Sequence, residues 1–428
     1  MSARASARAR ETVDLEALAR QFRAVRAFSR QIAAPLQIED MVVQTMPDIS
    51  PTKWHWAHTS WFFETFVLER WERDFEPFHT QYRYLFNSYY QQVGPQFPRP
   101  QRGLLSRPTV DDVRRYRESV DARVGALFEG DVPEPEEVAR VLEVGIHHEQ
   151  QHQELMYTDI KHVLGTNPLR PAYGPALVRS ATGFDPPREW QAFEAGTREI
   201  GHPGPGFAYD NELPRHQVLA PAFRLATRPV TTAGYLEFVE DGGYERPELW
   251  LSDGWDCVRG RGWRAPFYWE QRDGEWWQYT LAGMRALVED EPVCHVSYYE
   301  ADAFATWAGA RLPTEVEWET AAAAERVAGN LATGATPHPG RAARPEGPIA
   351  QLFGDVWEWT ASPYGPYPGF RPPSGALGEY NGKFMCNQFV LRGGSCATPS
   401  GHVRPSYRNF FPPDARWQFS GLRLARSD

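Results

Sequence analysis

The sequence predicts an α+β protein of two domains, an N-terminal four-helix bundle followed by an irregular domain of short strands and helices. Three observations predict it. The chain has 428 residues, more than one hydrophobic core ordinarily organises. Through the first 165 or so residues, apolar positions recur at steps of three and four, the period of an amphipathic helix. Beyond Glu199 that period gives way to short β-prone runs separated by Gly, Pro, Asn and Asp, the grammar of strands and turns.

In the first domain, 11–165, Leu15, Leu18, Phe22, Val25, Phe28 and Ile32 mark one face of a first helix. A second helix surrounds WHWAHTSWFFETFVLERW, residues 54–71. A third runs through VDDVRRYRESVDARVGALFEG, with Thr109 placed as its N-cap. The fourth, PEEVARVLEVGIHHEQQHQELMYTDIKHVLG, opens after Pro133 and Pro135 and closes at Gly165. Four helices of similar length form a bundle whose interior can hold a metal. Residues 166–198 are rich in Pro and Gly and read as a linker. In the second domain, 199–428, HQVLAPAFRLATRPV and FVLRGGS read as strands, and TTAGYLEFVED and SYYEADAFATWAGA as short helices. No internal repeat is found.

Composition narrows the function. The formal charge is −10, which gives no general attraction to nucleic acid or an anionic membrane. No apolar run approaches the roughly 20 residues of a membrane helix. MSARASARAR is basic but has no apolar segment after it, so it reads as a frayed tail rather than a secretory signal. Cys257, Cys294, Cys386 and Cys396 form no C-x-x-C pair and no disulfide framework, and they suit a reducing cytoplasm. Cys386 and Cys396 read as ordinary buried thiols. The 16 Trp, 18 Tyr and 24 Phe are more than packing alone leads one to expect and can line a pocket.

The chemistry concentrates in HHEQQHQELM, 147–156, where His148 to His152 spells H-E-x-x-H. Four residues apart on a helix, the two imidazoles share one face and can reach one metal ion. His58 on the second helix stands in a largely aromatic stretch, and a bundle can bring it opposite that face. His55 is less suited as a ligand, and His147 points about 100° away from His148. A zinc protease of this motif needs a third ligand downstream. Its long form requires Gly and His where Leu155 and Thr158 stand, and no Glu occurs between Glu154 and Glu189. The protease reading fails there, and Glu149 becomes a structural carboxylate rather than a catalytic base. Three neutral imidazoles with open positions suit Fe(II), zinc or copper.

Several motifs together carry a family resemblance. GARLPTEVEWETAA (309–322), GDVWEWTAS (354–362), LRGGS (391–395) and FSGLRLAR (419–426) resemble the formylglycine-generating-enzyme/sulfatase-modifying fold, a C-type-lectin-like domain. WHWAHTSWFFE with HHEQQHQE resembles a DinB-like four-helix bundle. Their fusion in this order is similar to the ergothioneine-biosynthesis sulfoxide synthases, which are closely related to selenoneine synthases. The resemblance implies Fe(II) held by His58, His148 and His152, with O2 as co-substrate. It implies coupling of a thiol, cysteine or γ-glutamylcysteine, to the imidazole of hercynine (Nα-trimethylhistidine), giving a sulfoxide.

It also implies roles in the pocket. In YRNFFPP (407–413), Asn409 would hold the hercynine carboxylate and Phe410 and Phe411 its trimethylammonium, which has no N–H to donate and favours aromatic faces. Gln151 would meet the imidazole. Arg99 and Arg102, with Arg107 in the same loop, resemble the paired arginines that hold the thiol's carboxylate. Tyr89 and Tyr90 resemble the pair from which one subtype takes its proton donor. A selenosugar in place of the thiol, or an ovothiol-type 5-histidylcysteine product, uses the same ligands and stays open. Formylglycine generation is disfavoured because Leu424 stands where that family has a cysteine. A non-catalytic lectin-like module with a structural metal is the remaining rival.

Overall fold

The computed structural model describes residues 14–130, 132–175, 189–334, 336–342 and 347–428. The basic N-terminal tail and the middle of the expected linker, 176–188, lie outside them. The first half is helical: α1 (Leu15–Ala33), α2 (Thr52–Phe63), the short helices α3 (Glu69–Trp71) and α4 (Tyr82–Leu85), α5 (Val110–Glu129) and α6 (Pro135–Thr166). Asp14 caps α1 by accepting the Ala17 amide. Thr109 and Asp112 form a reciprocal capping box at the start of α5, at the N-cap read from the sequence.

The helices are less uniform than expected. A π-helical turn, Glu64–Leu68, joins α2 to α3. Its Glu64 carboxylate accepts the Tyr116 hydroxyl at 2.5 Å and the Phe78 amide at 2.8 Å. Helix α6 has 32 residues and is buried over much of its circumference because the second domain packs on it. Glu154 accepts from Trp357 Nε1, from Ser395 Oγ and from Thr398 Oγ1 across that junction. Further along, Lys161 Nζ donates to His295 Nε2 at 2.6 Å.

Close packing of α6 on α2 depends on Gly145. A Cβ there would lie 2.5 Å from Phe63 Cε1 and 3.0 Å from Phe62 Cε1, and both rings are fully buried. Overpacking of this kind costs about 1–3 kcal/mol, against up to about 1 kcal/mol of helix propensity gained. Gly145→Ala is therefore expected to destabilise, seen as a lower urea midpoint. An unchanged midpoint would show that the rings have room to move.

The second domain holds β1 (Trp190–Phe193), β2 (Gly196–Ile200), β3 (His216–Ala220), β4 (Phe223–Ala226), α7 (Thr232–Glu240), α8 (Ser252–Arg261), β5 (Trp269–Arg272), β6 (Glu275–Thr280), β7 (Gly283–Ala286), α9 (Tyr298–Trp307), α10 (Glu315–Ala322), β8 (Trp357–Pro363), β9 (Phe389–Arg392), β10 (Asn409–Phe411), β11 (Ser420–Gly421) and β12 (Ala425–Ser427). They form sheets in the orders β1-β4-β12, β10-β9-β8-β11 and β5-β6-β7, with a β2-β3 hairpin. Strands β1 and β2 begin inside the stretch read as linker. Their partners β4 and β3 lie further along the chain, so local composition gives no sign of the pairing. Helices α8 and α10 add to the two expected.

The motifs scattered through this half meet in its core. Arg423 pairs with Glu358, both fully buried, and Trp318 Nε1 donates to Glu358 at 2.8 Å. Arg392 bonds Glu315 and Glu319 at 3.0 and 2.9 Å. Gly393, at φ +98°, has no room for a side chain, because a Cβ would lie 2.5 Å from the Leu352 carbonyl. Among the described residues no helix is long and apolar enough to cross a membrane.

Candidate metal centre and substrate cavity

Helix α2 carries His55 and His58 one turn apart, and α6 carries His148 and His152 one turn apart, so the crossing of two helices gathers four imidazoles. Ligand atoms of His58, His148 and His152 lie within 4.8 Å of one another, and all three are buried. His58 Nε2 is 3.1 Å from His148 Nε2, while His58 Nδ1 donates to the Phe86 carbonyl at 2.6 Å. Trp54 stacks on His58 with ring centroids 4.6 Å apart, and Phe62 lies 4.6 Å from His148. Burial in this apolar wall drives the imidazoles toward the neutral form, His148 down to about 3 and His58 and His152 well below the usual histidine range. Three neutral nitrogen donors converging on one point fit a divalent transition metal.

The neighbouring residues separate as the sequence suggested, with one addition. Glu149 points away from the centre and pairs with Arg26 and Arg117. Despite burial, which opposes charge, the two guanidiniums hold its carboxyl at about 2. His147 stacks on Phe207 at 3.9 Å and meets His402. His55 is no member of the triad, but its Nδ1 lies 2.8 Å from His152 Nδ1.

His148 and His152 open onto a cavity of about 290 Å³ at the junction of the two domains. Gln151, Asn409, Phe410, Phe411, Tyr89 and Arg99 all line it. Gln151 is fixed at both ends of its amide, donating to Tyr407 Oη at 2.8 Å and accepting from Tyr380 Oη at 2.5 Å. Asn409 Oδ1 accepts the Phe410 amide, which leaves its NH2 as a donor. A second cleft of about 690 Å³ adjoins the cavity and shares Asp48, Pro412 and Trp417 with it.

Three expectations need correction. Tyr90 is fully buried against Trp61, Phe62 and Phe66; Tyr89, stacked on it at 4.6 Å, is the one that reaches the cavity. Arg102 does not line the cavity. It is buried with its guanidinium 3.4 Å from the Trp54 ring centroid and bonded to Ser50 Oγ at 2.9 Å, where apolar surroundings lower its pKa. Arg99 stays on the wall, anchored to the Asp48 carbonyl. Cys386 is exposed rather than buried.

The sequence reading missed Tyr380, which sits 5.8 Å from His148 between ring centroids. Its loop is held on the bundle by Glu379, which accepts the Gln91 and Gln92 amides at 3.0 and 2.9 Å. Burial raises the pKa of Tyr380 and Tyr89 well above the usual tyrosine value, so both phenols keep their protons at neutral pH.

Comparison with known proteins places the chain in a family. Residues 186–347 and 346–428 match the sulfatase-modifying factor enzyme 1-like domain, and residues 21–156 match the DinB superfamily. The chain is 37% identical over 309 residues to the hercynine oxygenase of Mycolicibacterium smegmatis, covering 65% of this chain and 70% of that protein. It is 38% identical over 305 residues to the hercynine oxygenase of Mycobacterium tuberculosis, with the same coverage. The chain belongs to the hercynine oxygenase family. A more distant relative is the formylglycine-generating enzyme of Mycobacterium tuberculosis, 30% identical over 220 residues, covering 39% of this chain and 73% of that protein. In this hercynine oxygenase family member Leu424 is buried core. The buried thiols Cys294 and Cys396 are pushed up by desolvation, Cys294 to about 12, which makes them poor nucleophiles.

Proposed function

We propose that this protein is a non-haem, Fe(II)- and O2-dependent enzyme that joins hercynine to a thiol, cysteine or γ-glutamylcysteine, as a sulfoxide. The observation that carries the reading is the triad of neutral histidines, two of which, His148 and His152, open onto a cavity walled by Asn409, Phe410 and Phe411. The balance is hercynine C–H plus R–S–H plus O2 giving C–S(=O)–R plus water. Iron held by His58, His148 and His152 would supply positions for O2 and thiolate and make the thiol easier to deprotonate.

The chain's own residues do the rest. The free NH2 of Asn409 donates to the hercynine carboxylate, and the Phe410 and Phe411 faces receive the trimethylammonium. Gln151, immobilised by Tyr380 and Tyr407, presents its remaining N–H and lone pair to the imidazole. Arg99 supplies the cation for the carboxylate of the thiol. Tyr380, 5.8 Å from His148 between ring centroids and bonded to Gln151, holds a proton at its phenolic oxygen, and Tyr89 is the second such group. The adjoining cleft, walled by Trp263, Trp269, Trp276 and Trp417, has room for the far end of the second substrate. A soluble cytoplasmic setting suits these small substrates.

The test is aerobic incubation of the iron-loaded protein with hercynine and, in turn, cysteine, γ-glutamylcysteine and a selenosugar, with product masses read out. A hercynyl sulfoxide of either thiol supports the proposal. Turnover with the selenosugar alone would overturn the thiol part, and a 5-histidylcysteine sulfoxide formed from histidine would overturn hercynine as substrate. Removal of one cation–π face is worth about 0.5–2 kcal/mol. Phe410→Leu or Phe411→Leu is accordingly expected to raise the hercynine KM about 2- to 30-fold while leaving the thiol KM in place.

A further inference from the structure

Beyond the triad, buried side chains from α2 and α6 form a line that ends on His152. His55 stands one helical turn before His58, and Asp159 two turns beyond His152 on the same face of α6. His55 Nδ1 lies 2.8 Å from His152 Nδ1, and His55 Nε2 lies 2.9 Å from Asp159 Oδ2. The same carboxylate oxygen accepts the Ser50 amide at 2.9 Å. His55 is 3% exposed and Asp159 4%, so bulk water does not screen the chain.

These contacts dictate where the protons sit. A carboxylate only accepts, so His55 carries its proton on Nε2. A neutral imidazole then has its lone pair on Nδ1. Two facing Nδ1 atoms need one donor, which must be His152. The lone pair of His152 is thereby placed on Nε2. His58 reaches the same tautomer through the neutral Phe86 carbonyl, whereas His148 Nδ1 has no hydrogen-bond partner among the described residues. The three imidazoles are thus backed unequally.

We propose that His55 and Asp159 are positioning residues that fix the tautomer of His152 and strengthen it as a metal ligand. This rests on the metal-site reading above. A carboxylate acting through a ligand's second nitrogen makes that ligand a better donor, and loss of such a partner costs about 10–100-fold in metal affinity. The sequence pattern is a pair of histidines three apart on one helix facing H-x-x-x-H followed seven residues later by Asp on the other.

The experiment measures Co(II) affinity by competition with a chelator, in the full chain. Asp159→Asn keeps the shape and removes the charge, and is expected to bind about 10–100-fold more weakly. His55→Ala is expected to lose a similar factor, and the double variant little more, because the two act in series. Full additivity, or a folded Asp159→Asn that binds Co(II) as tightly as wild type, would overturn the relay. A readout without substitutions comes from long-range 1H–15N spectra of the Zn(II)-loaded wild type. His152 is expected to carry its proton on Nδ1 and His55 on Nε2, and the opposite tautomers would overturn the proposal even if a variant failed to fold. If wild type binds neither Co(II) nor Zn(II), the metal-site reading itself falls; loss of the relay alone leaves wild-type binding intact.

Discussion

Replacing His58, His148 or His152 with alanine is expected to remove bound iron and turnover together. Each imidazole is one of three donors in a buried site, and two neutral nitrogens from crossed helices leave the ion short of ligands; the neighbouring Glu149 faces the opposite way, committed to Arg26 and Arg117. A metal's stabilisation of a transition state is worth several kcal/mol, so the rate is expected to fall by at least about 10³-fold. The measurements are metal content after dialysis and O2 uptake with hercynine and thiol. His147→Ala is the control, because His147 adjoins His148 in sequence yet packs on Phe207 and His402. Full iron in a triad variant would remove that residue from the site, and iron loss in His147→Ala would show that the assay reports folding instead.

Much of this centre was legible in the sequence because helices obey a period. The spacing of His148 and His152 fixes a shared face, a bundle can bring His58 opposite it, and the family resemblance implies the three together. Periodicity also explains why Glu149 and His147 turn away. Loops have no such rule. Nothing in LFNSYY says which of two adjacent tyrosines faces the cavity, and Tyr90 turns into the bundle. Arg102 reads as a loop cation, but the chain folds it over Trp54, a contact set by tertiary packing. Tyr380 lies in a segment of turns, brought to His148 by Glu379 gripping backbone amides of a loop nearly 300 residues earlier. The role of His55 was hidden for a different reason. It depends on Asp159, and a lone aspartate on a helix carries no signal until its partner is known.

Glu149→Ala is expected to be the most destabilising single change on α6. The Glu149 side chain is fully buried, 2.9 Å from Arg26 Nη1, bonded to Arg117, and it accepts the Ser29 hydroxyl at 2.6 Å. Its removal leaves two guanidiniums in the core without their shared anion, and breaking a buried pair in this way costs about 3–5 kcal/mol. Denaturant unfolding should therefore shift strongly in Glu149→Ala. The pH dependence supplies a second check. The folded carboxyl titrates near 2, below its unfolded value of about 4.3, so its contribution is complete at neutral pH and is lost as pH falls from about 4.3 towards 2. Glu149→Ala should lack that component of acid destabilisation. A metalloprotease-type base would give the opposite result: a variant as stable as wild type, still loaded with metal, and inactive. That outcome would restore the H-E-x-x-H reading. With Glu149 locked between Arg26 and Arg117, the glutamate of the motif instead holds α6 against α1 and α5, and so holds His148 and His152 where His58 can meet them.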